Sequence, residues 1–302
     1  MNNRNIQAQL YSKSPISLFK ALTVITLSNT YFCGYYYSMK KLVAIVSLTV
    51  LFACNNGTKD PQSETPPVNT PKIMSYSVIA TYPHDTSSYT QGLIVYNGQL
   101  YEGTGNYGKS RLRRVDLKTG KALQDISLPA EYFGEGITIL HDTLYQLTWK
   151  EKKVFVYTLK DFKKIREYTV DFEGWGITND GSNLIISAGG SNEILYYKPE
   201  GFTLLKRQSI TEAGLPADNL NELEYIDGFI YANQYQTPYI LKISPTSGEV
   251  VAKTDITDLY TRSKAKYSET EVPNGIAYDA DTRKIYITGK WWPELYELQL
   301  GQ

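Results

Sequence analysis

Gln91–Tyr101 reads QGLIVYNGQLY, and the chain returns to that pattern four more times. The later copies are EGITILHDTLY at Glu135–Tyr145, WGITNDGSNLI at Trp175–Ile185, NELEYIDGFIY at Asn221–Tyr231 and NGIAYDADTRKIY at Asn274–Tyr286. Each opens on a polar or aromatic residue, followed by Gly or Glu and then Leu or Ile. A short turn carrying Asn, Asp or Gly comes next, and a second apolar run closes the unit. The opening residues lie 44, 40, 46 and 53 positions apart. A period of this length with two short strands visible per unit predicts an all-β, five-bladed β-propeller of four-stranded antiparallel blades. The opening residues differ while the frame repeats. Five units around one axis would therefore bring Gln91, Glu135, Trp175, Asn221 and Asn274 together.

The rest of each unit supplies the outer strands. After the first copy, Arg111–Asp116, a Lys118-Thr119-Gly120 turn and Ala122–Leu128 read as a hairpin, with Gly where positive φ is needed. The last unit ends with LYELQL, and MSYSVIATYPHD precedes the first. That early segment can pair with the last blade, which would close the ring and remove a free edge. One insertion, residues 256–273, breaks the period ahead of Asn274. Its LYTRSKAK stretch suits a helical turn or two, and it either covers the pocket or forms a solvated loop.

Composition narrows the function. The 302 residues carry 31 Lys and Arg against 31 Asp and Glu, which leaves no electrostatic footprint for nucleic acid. Twenty-six Tyr favour strands and half-buried surfaces. The two Cys, Cys33 and Cys54, both precede the repeats, so the repeats hold no disulfide or Cys-based metal site. Two His, His84 and His141, disfavour a multi-His zinc site.

The N-terminal region reads as a targeting device. MKKLVAIVSLTVLFAC begins at Met39 with a positive start, a short apolar run and a small-residue end. Leu51-Phe52-Ala53-Cys54 resembles a bacterial lipobox, which predicts a signal peptide over 39–53 and lipidation at Cys54. A transmembrane span would need roughly 20 apolar residues, more than this run offers. Residues 1–38 read as an upstream mis-start or extra segment. Residues 54–73 are rich in Pro, Ser, Thr and Asn and read as a flexible tether. The propeller is expected over 74–302, lipid-anchored in a bacterial cell envelope.

A second register appears fourteen residues after each opening position, at Gly105, Trp149, Gly189 and Tyr235. In the fifth unit the turn is longer and Lys290 takes that place. Antiparallel pairing returns the end of the second strand to the start of the first. Both sets should therefore share one end of the ring. Tyr89 and Phe133 sit two residues before Gln91 and Glu135. The resulting site holds one carboxylate (Glu135), one ammonium (Lys290), amides (Gln91, Asn221, Asn274) and aromatic walls (Tyr89, Phe133, Trp149, Trp175, Tyr235). A lone Glu among aromatic rings gains proton affinity by desolvation, which suits proton transfer near neutral pH. Glu222 and Glu224 read either as support for this site or as a solvated face.

The residues YTQGL, FGEGI, LTW, EGWGI, LNELEY, NQYQT, NGIAYD and TGKWWPELYE, in that order from Tyr89 to Glu297, resemble the glutamine cyclotransferase family of plants and bacteria. The resemblance spans about Tyr82 to Leu298. It implies a five-bladed propeller that converts the N-terminal glutamine of a peptide or protein to pyroglutamate with release of ammonia, without a required metal or other cofactor. It further implies that Glu135 is the catalytic glutamate. Gln91, Asn221 and Lys290 correspond to polar active-site residues, and Phe133, Trp149 and Trp175 to aromatic walls. The family commonly carries Phe at the place of Tyr89 and Trp at the place of Tyr235. Asn274 rests on the repeat alone. Two rival readings are a non-catalytic peptide- or glycan-binding propeller and a lactonase-like propeller with Ca²⁺ held by Glu135, Asn221 and Asn274. The second needs another inward carboxylate, where this chain has Lys290.

Overall fold

The computed structural model describes residues 69–301. The signal peptide, Cys54 and most of the tether lie outside them. Five antiparallel units follow in chain order. Blade one comprises Thr90–Tyr96, Gln99–Thr104, Arg111–Val115 and Ala122–Ser127. Blade two comprises Gly134–Leu140, Thr143–Thr148, Lys153–Thr158 and Lys164–Thr169. Blade three runs through Gly174–Asn179, Leu184–Ala188, Glu193–Lys198 and Thr203–Ser209. Blade four holds Leu220–Ile226, Phe229–Gln234, Tyr239–Ile243 and Val250–Asp255. Blade five holds Pro273–Asp279, Lys284–Gly289, Glu294–Leu300 and, as its outer strand, Tyr76–Pro83. That early strand pairs antiparallel with Glu294–Leu300, so blade five joins both ends of the propeller.

The first strand of each blade packs on the first strand of the next, and blade five returns to blade one. Alternating side chains on each strand fill the two seams beside it. In blade three, Leu184, Ile186 and Ala188 pack toward blade two, while Ile185 packs toward blade four. The five buried apolar clusters correspond to the five seams. The predicted turns take the mirror-image hairpin form. Asn97-Gly98 has φ 50° and 69°, and Asp227-Gly228 has 48° and 85°.

Two features differ from the sequence reading. Lys72–Ile73 forms a short parallel strand on Val250–Asp255, so the chain joins the propeller before residue 74. The insertion is a ten-residue helix, Thr257–Lys266, longer than a turn or two. Its buried Leu259 joins the seam between blades four and five, and its Ser263 hydroxyl hydrogen-bonds the Tyr296 phenol at 3.0 Å. Periodicity understates this helix because only one narrow face of it is buried.

At the hub, the residue after each opening position is Gly92, Gly136, Gly176, Glu222 or Gly275. Gly92, Gly136 and Gly176 follow from crowding. A Cβ on Gly176 would stand 2.0 Å from the Asn221 carbonyl oxygen, and one on Gly92 2.3 Å from the Ile137 nitrogen. Glu222 crosses the space they leave, accepting the Leu93 N–H at 3.1 Å and the Ile276 N–H at 2.8 Å. Two residues on, Glu224 accepts the Tyr278 N–H at 2.9 Å and bonds the Thr178 hydroxyl at 3.2 Å. Both glutamates are buried stitches between blades rather than a solvated face.

Burial makes Glu224 hold its proton, pushing its pKa from 4.5 up to about 8. The folded chain therefore keeps a proton that the unfolded chain releases. This contribution is fully present below pH 4.5 and is lost as pH rises toward about 8. Glu224→Gln should supply the same acceptor and a donor without titrating. The variant should fold, and its unfolding free energy should fall less steeply than wild type between about pH 5 and about pH 8, where one such proton contributes up to about 1.4 kcal/mol per unit. Parallel slopes in denaturant melts would exclude this role.

Candidate active site

The strands start irregularly at one end of the ring, and that irregularity makes the site. Register shifts fall between Thr90 and Gly92, Gly134 and Ile137, Gly174 and Ile177, Leu220 and Leu223, and Pro273 and Ile276. Each bulge contains one opening residue, and a bulge re-aims the side chain it carries. The second register closes the same end with five equivalent hydrogen bonds. Gly105 donates its N–H to the Tyr89 carbonyl at 2.8 Å, Trp149 to Phe133 at 3.1 Å and Gly189 to Glu173 at 2.7 Å. Tyr235 does the same to Asn219 at 2.8 Å, and Lys290 to Val272 at 3.1 Å.

One cavity of about 210 Å³ opens here. Gln91, Glu135, Trp175 and Asn221 line it from the opening positions, and Trp149, Tyr235 and Lys290 from the second register. Tyr89 and Phe133 complete the wall. The two second-register glycines make room for rings. A Cβ on Gly105 would stand 2.4 Å from the Phe133 ring, and one on Gly189 2.5 Å from Trp175 Nε1. The aromatic wall is mutually braced. Phe133 and Trp149 centroids are 5.5 Å apart, Trp175 and Tyr235 5.4 Å, and Tyr89 and Phe133 6.2 Å.

Asn274 does not reach this cavity. It is buried behind Gln91, donating its amide to Gln91 Oε1 at 3.0 Å and to the Thr90 carbonyl at 2.9 Å. Blade five enters the cavity through Lys290 instead. Gly275, at φ 119°, turns the backbone after Asn274 and gives its N–H to Asn233 Oδ1 at 2.9 Å. Asn274 therefore orients a cavity residue, a part that repeat logic alone could not separate from lining.

Glu135 is buried, and desolvation pushes its carboxyl well above the usual carboxylate range. The Lys290 ammonium opposes that rise, while Glu151 and Glu173 reinforce it. Lys290 is itself pulled below its ordinary value by burial, against the pull of Glu135 and Glu271. Its Nζ lies 4.7 Å from the Tyr89 ring centroid and 4.9 Å from that of Tyr235. No ion pair joins Glu135 and Lys290. Glu135 Oε2 and Asn221 Oδ1 are buried without a hydrogen-bond partner in the protein. Unpaired buried polar atoms beside a cavity are the sign of a polar ligand. Among the described residues, no group of three or more His, Cys, Asp or Glu is arranged to hold a metal ion.

Several supporting residues escape the sequence reading. Glu173 accepts the Trp149 indole N–H at 2.7 Å, and Glu271, from the loop after the helix, accepts the Tyr89 phenol at 2.9 Å. Trp291, at φ 59°, packs its ring 4.8 Å from Tyr89. Glu173 had a signal: it stands two residues before Trp175, the place that Tyr89 and Phe133 hold in blades one and two.

The fold and site define a five-bladed propeller whose hub cavity combines aromatic walls with a buried carboxyl and a buried ammonium. The chain belongs to the glutamine cyclotransferase family, whose model it matches over residues 46–300. It is 35% identical over 234 residues to the glutaminyl-peptide cyclotransferase of Arabidopsis thaliana, covering 76% of this chain and 73% of that protein. It also superposes on the crystal structure of Myxococcus xanthus glutaminyl cyclase with a TM-score of 0.71 at 33% identity, covering 76% of this chain and 98% of that one.

Asn274→Ala removes the donor that holds Gln91 Oε1 and the Thr90 carbonyl. It should cost about 1–3 kcal/mol in denaturant unfolding. A crystal structure of the variant should show the Gln91 amide rotated. An unchanged Gln91 would mean that the bulge alone sets its direction.

Proposed function

We propose that this chain is a glutaminyl-peptide cyclotransferase in which Glu135 shuttles the proton and Lys290 stabilises developing charge. The family and its relatives support the activity. The observation that carries the residue assignment is the buried Glu135 carboxyl, with its free Oε2, sharing one small cavity with Lys290 and unpaired from it.

The substrate's α-amine nitrogen attacks its own side-chain amide carbon. A nitrogen–carbon bond forms, the bond to the amide nitrogen breaks, and ammonia leaves. The attack is intramolecular, so holding the chain folded over supplies much of the acceleration. Trp149, Trp175 and Phe133 hold the glutamine side chain and exclude water. Glu135, ionised, takes the proton released by the attacking amine and gives it to the departing nitrogen. Lys290, Gln91 and Asn221 donate to the amide oxygen as it gains negative charge. Tyr89 and Tyr235 flank the ammonium and hold it in place.

The pH dependence follows from the two shifted groups. Glu135 must lose its proton to act as base, and its raised affinity places that event well above 4.5. Lys290 must keep its proton, and its lowered affinity brings that loss below 10.5. The rate should rise with pH on the acid side, as Glu135 and the substrate amine deprotonate, and fall on the alkaline side.

We further propose that residues 39–53 are a signal peptide and that Cys54 carries a lipid holding the enzyme at a cell envelope. The Leu51-Phe52-Ala53-Cys54 sequence and the Pro- and Ser-rich stretch after it support this. The reaction as written needs no cofactor, and chelators should leave it unchanged.

Ammonia release from a glutamine-initiated dipeptide by residues 69–302 tests the reading. Glu135→Gln should lower kcat by about 10²–10⁴-fold while thermal unfolding is little changed. Near-wild-type turnover in that variant would remove the shuttle. Tight peptide binding by wild type without ammonia release would favour a binding propeller.

A further inference from the structure

Three carboxylates outside the cavity grip its walls. Glu173 Oε2 accepts the Trp149 indole N–H at 2.7 Å. Glu151 uses both oxygens, Oε1 for the Tyr107 phenol at 2.9 Å and Oε2 for the Phe133 backbone N–H at 3.2 Å. Glu271 takes the Tyr89 phenol at 2.9 Å. None of the three lines the cavity. Glu151 lies in the turn between the second and third strands of blade two, whose first strand carries Glu135, and Glu173 leads into blade three. Their positions are fixed by backbone as well. Glu173 receives the Gly189 N–H, and Glu151 sits in the turn where Lys152 donates its N–H to Trp149 at 3.3 Å.

Hydrogen bonding alone does not require charge at these places. An amide oxygen accepts the same indole N–H or phenol, if less strongly. The negative charge has a separate consequence, because like charges beside a buried carboxyl disfavour its ionised form. The groups acting on Glu135 can be taken side by side. Blade five presents Lys290, the cation that counters the collar, and Glu271 acts on that lysine in turn. Blade one presents the neutral Gln91 amide, with the phenols of Tyr89 and Tyr107 nearby. Blades three and four present the uncharged Trp175 and Asn221. Lys150 lies on the Trp149 ring, 4.2 Å from its centroid.

We propose that Glu173 and Glu151 are positioning residues, an anionic collar that braces Trp149 and Phe133 from behind and puts negative charge around the cavity that holds Glu135. Bracing acts on the substrate's fit, while charge acts on the proton. Glu151 and Glu173 each raise the proton affinity of Glu135, in the same direction as burial and against Lys290. Both are half-buried, so solvent screens each effect in part. The proposal rests on the cyclotransferase reading for its kinetic consequence, but its electrostatic part stands without turnover.

The test separates charge from bracing. The full folded domain is labelled with carboxyl-¹³C glutamate, and the Glu135 signal is identified by its loss in Glu135→Gln. In Glu173→Gln and in Glu151→Gln the Glu135 midpoint should drop measurably, and in the double variant it should drop further than in either single one. KM for a glutamine dipeptide should stay near wild type in Glu173→Gln, because the amide oxygen still takes the indole. In Glu173→Leu the midpoint should drop similarly and KM should rise several-fold. Asp171→Asn, at an exposed carboxylate near the same loop, should move neither. An unmoved Glu135 midpoint in both Gln variants overturns the collar, whatever the activity. A moved midpoint in a protein that releases no ammonia keeps the collar and fails the cyclotransferase reading.

Discussion

The fold depends on how closely five strands can approach one axis. Four of the five hub positions after the opening residues are glycine: at Gly92, Gly136 and Gly176 the neighbouring backbone leaves no room for a Cβ, and Gly275 takes a φ of 119°. The fifth is Glu222, whose carboxyl fills the space and bonds backbone N–H groups of blades one and five. This one asymmetric position joins three blades by a side chain, and Glu224 does the same two residues on, bonding blades three and five. A larger residue at a hub glycine would push the innermost strands apart and dissolve the cavity rim, since every cavity residue hangs from those strands or the strands beside them.

The same constraint produces the chemistry. Crowding at the axis is relieved by a bulge at the start of each blade, and each bulge carries the side chain that the ring uses. Four of the five bulge side chains line the cavity, and the fifth, Asn274, holds Gln91 from behind. Glycine at Gly105 and Gly189 alternates with bulky residues at Trp149, Tyr235 and Lys290, so neighbouring rings fit without collision. The outcome is a cavity small enough to desolvate a carboxyl strongly. Glu135 and Lys290 both lean toward their neutral forms even though each supports the other's charge, because burial outweighs their mutual attraction.

The outer layer shows how a pocket is stiffened from outside. Glu173, Glu151 and Glu271 reach the aromatic walls from loops that repeat only loosely between blades. The helix Thr257–Lys266 serves the same end: packed by Leu259 and Ser263, it fixes the loop that delivers Glu271 to Tyr89. The buried His84–Glu102 pair at 2.9 Å, with Arg113 bonding Ser88 at 2.7 Å, holds the segment before Tyr89 at the seam where the ring closes.

The sequence by itself determined the repeat, the number of blades, the closing strand and the set of residues facing one end of the ring. These follow from local pattern, because a strand's alternation and a hairpin's turn residues depend on neighbours a few positions away. The tertiary structure alone decided which of those residues line the cavity and which stand behind it. Asn274 obeys the repeat as faithfully as Asn221, yet only the packing of blade five against blade one turns it onto Gln91. The hub roles of Glu222 and Glu224 were equally out of reach, as were the grips of Glu151 and Glu271, while only the position of Glu173 left a trace in the repeat. The partners of Glu222 and Glu224 lie 46 to 129 residues away, and no spacing along the chain encodes which blade a side chain will meet across the axis.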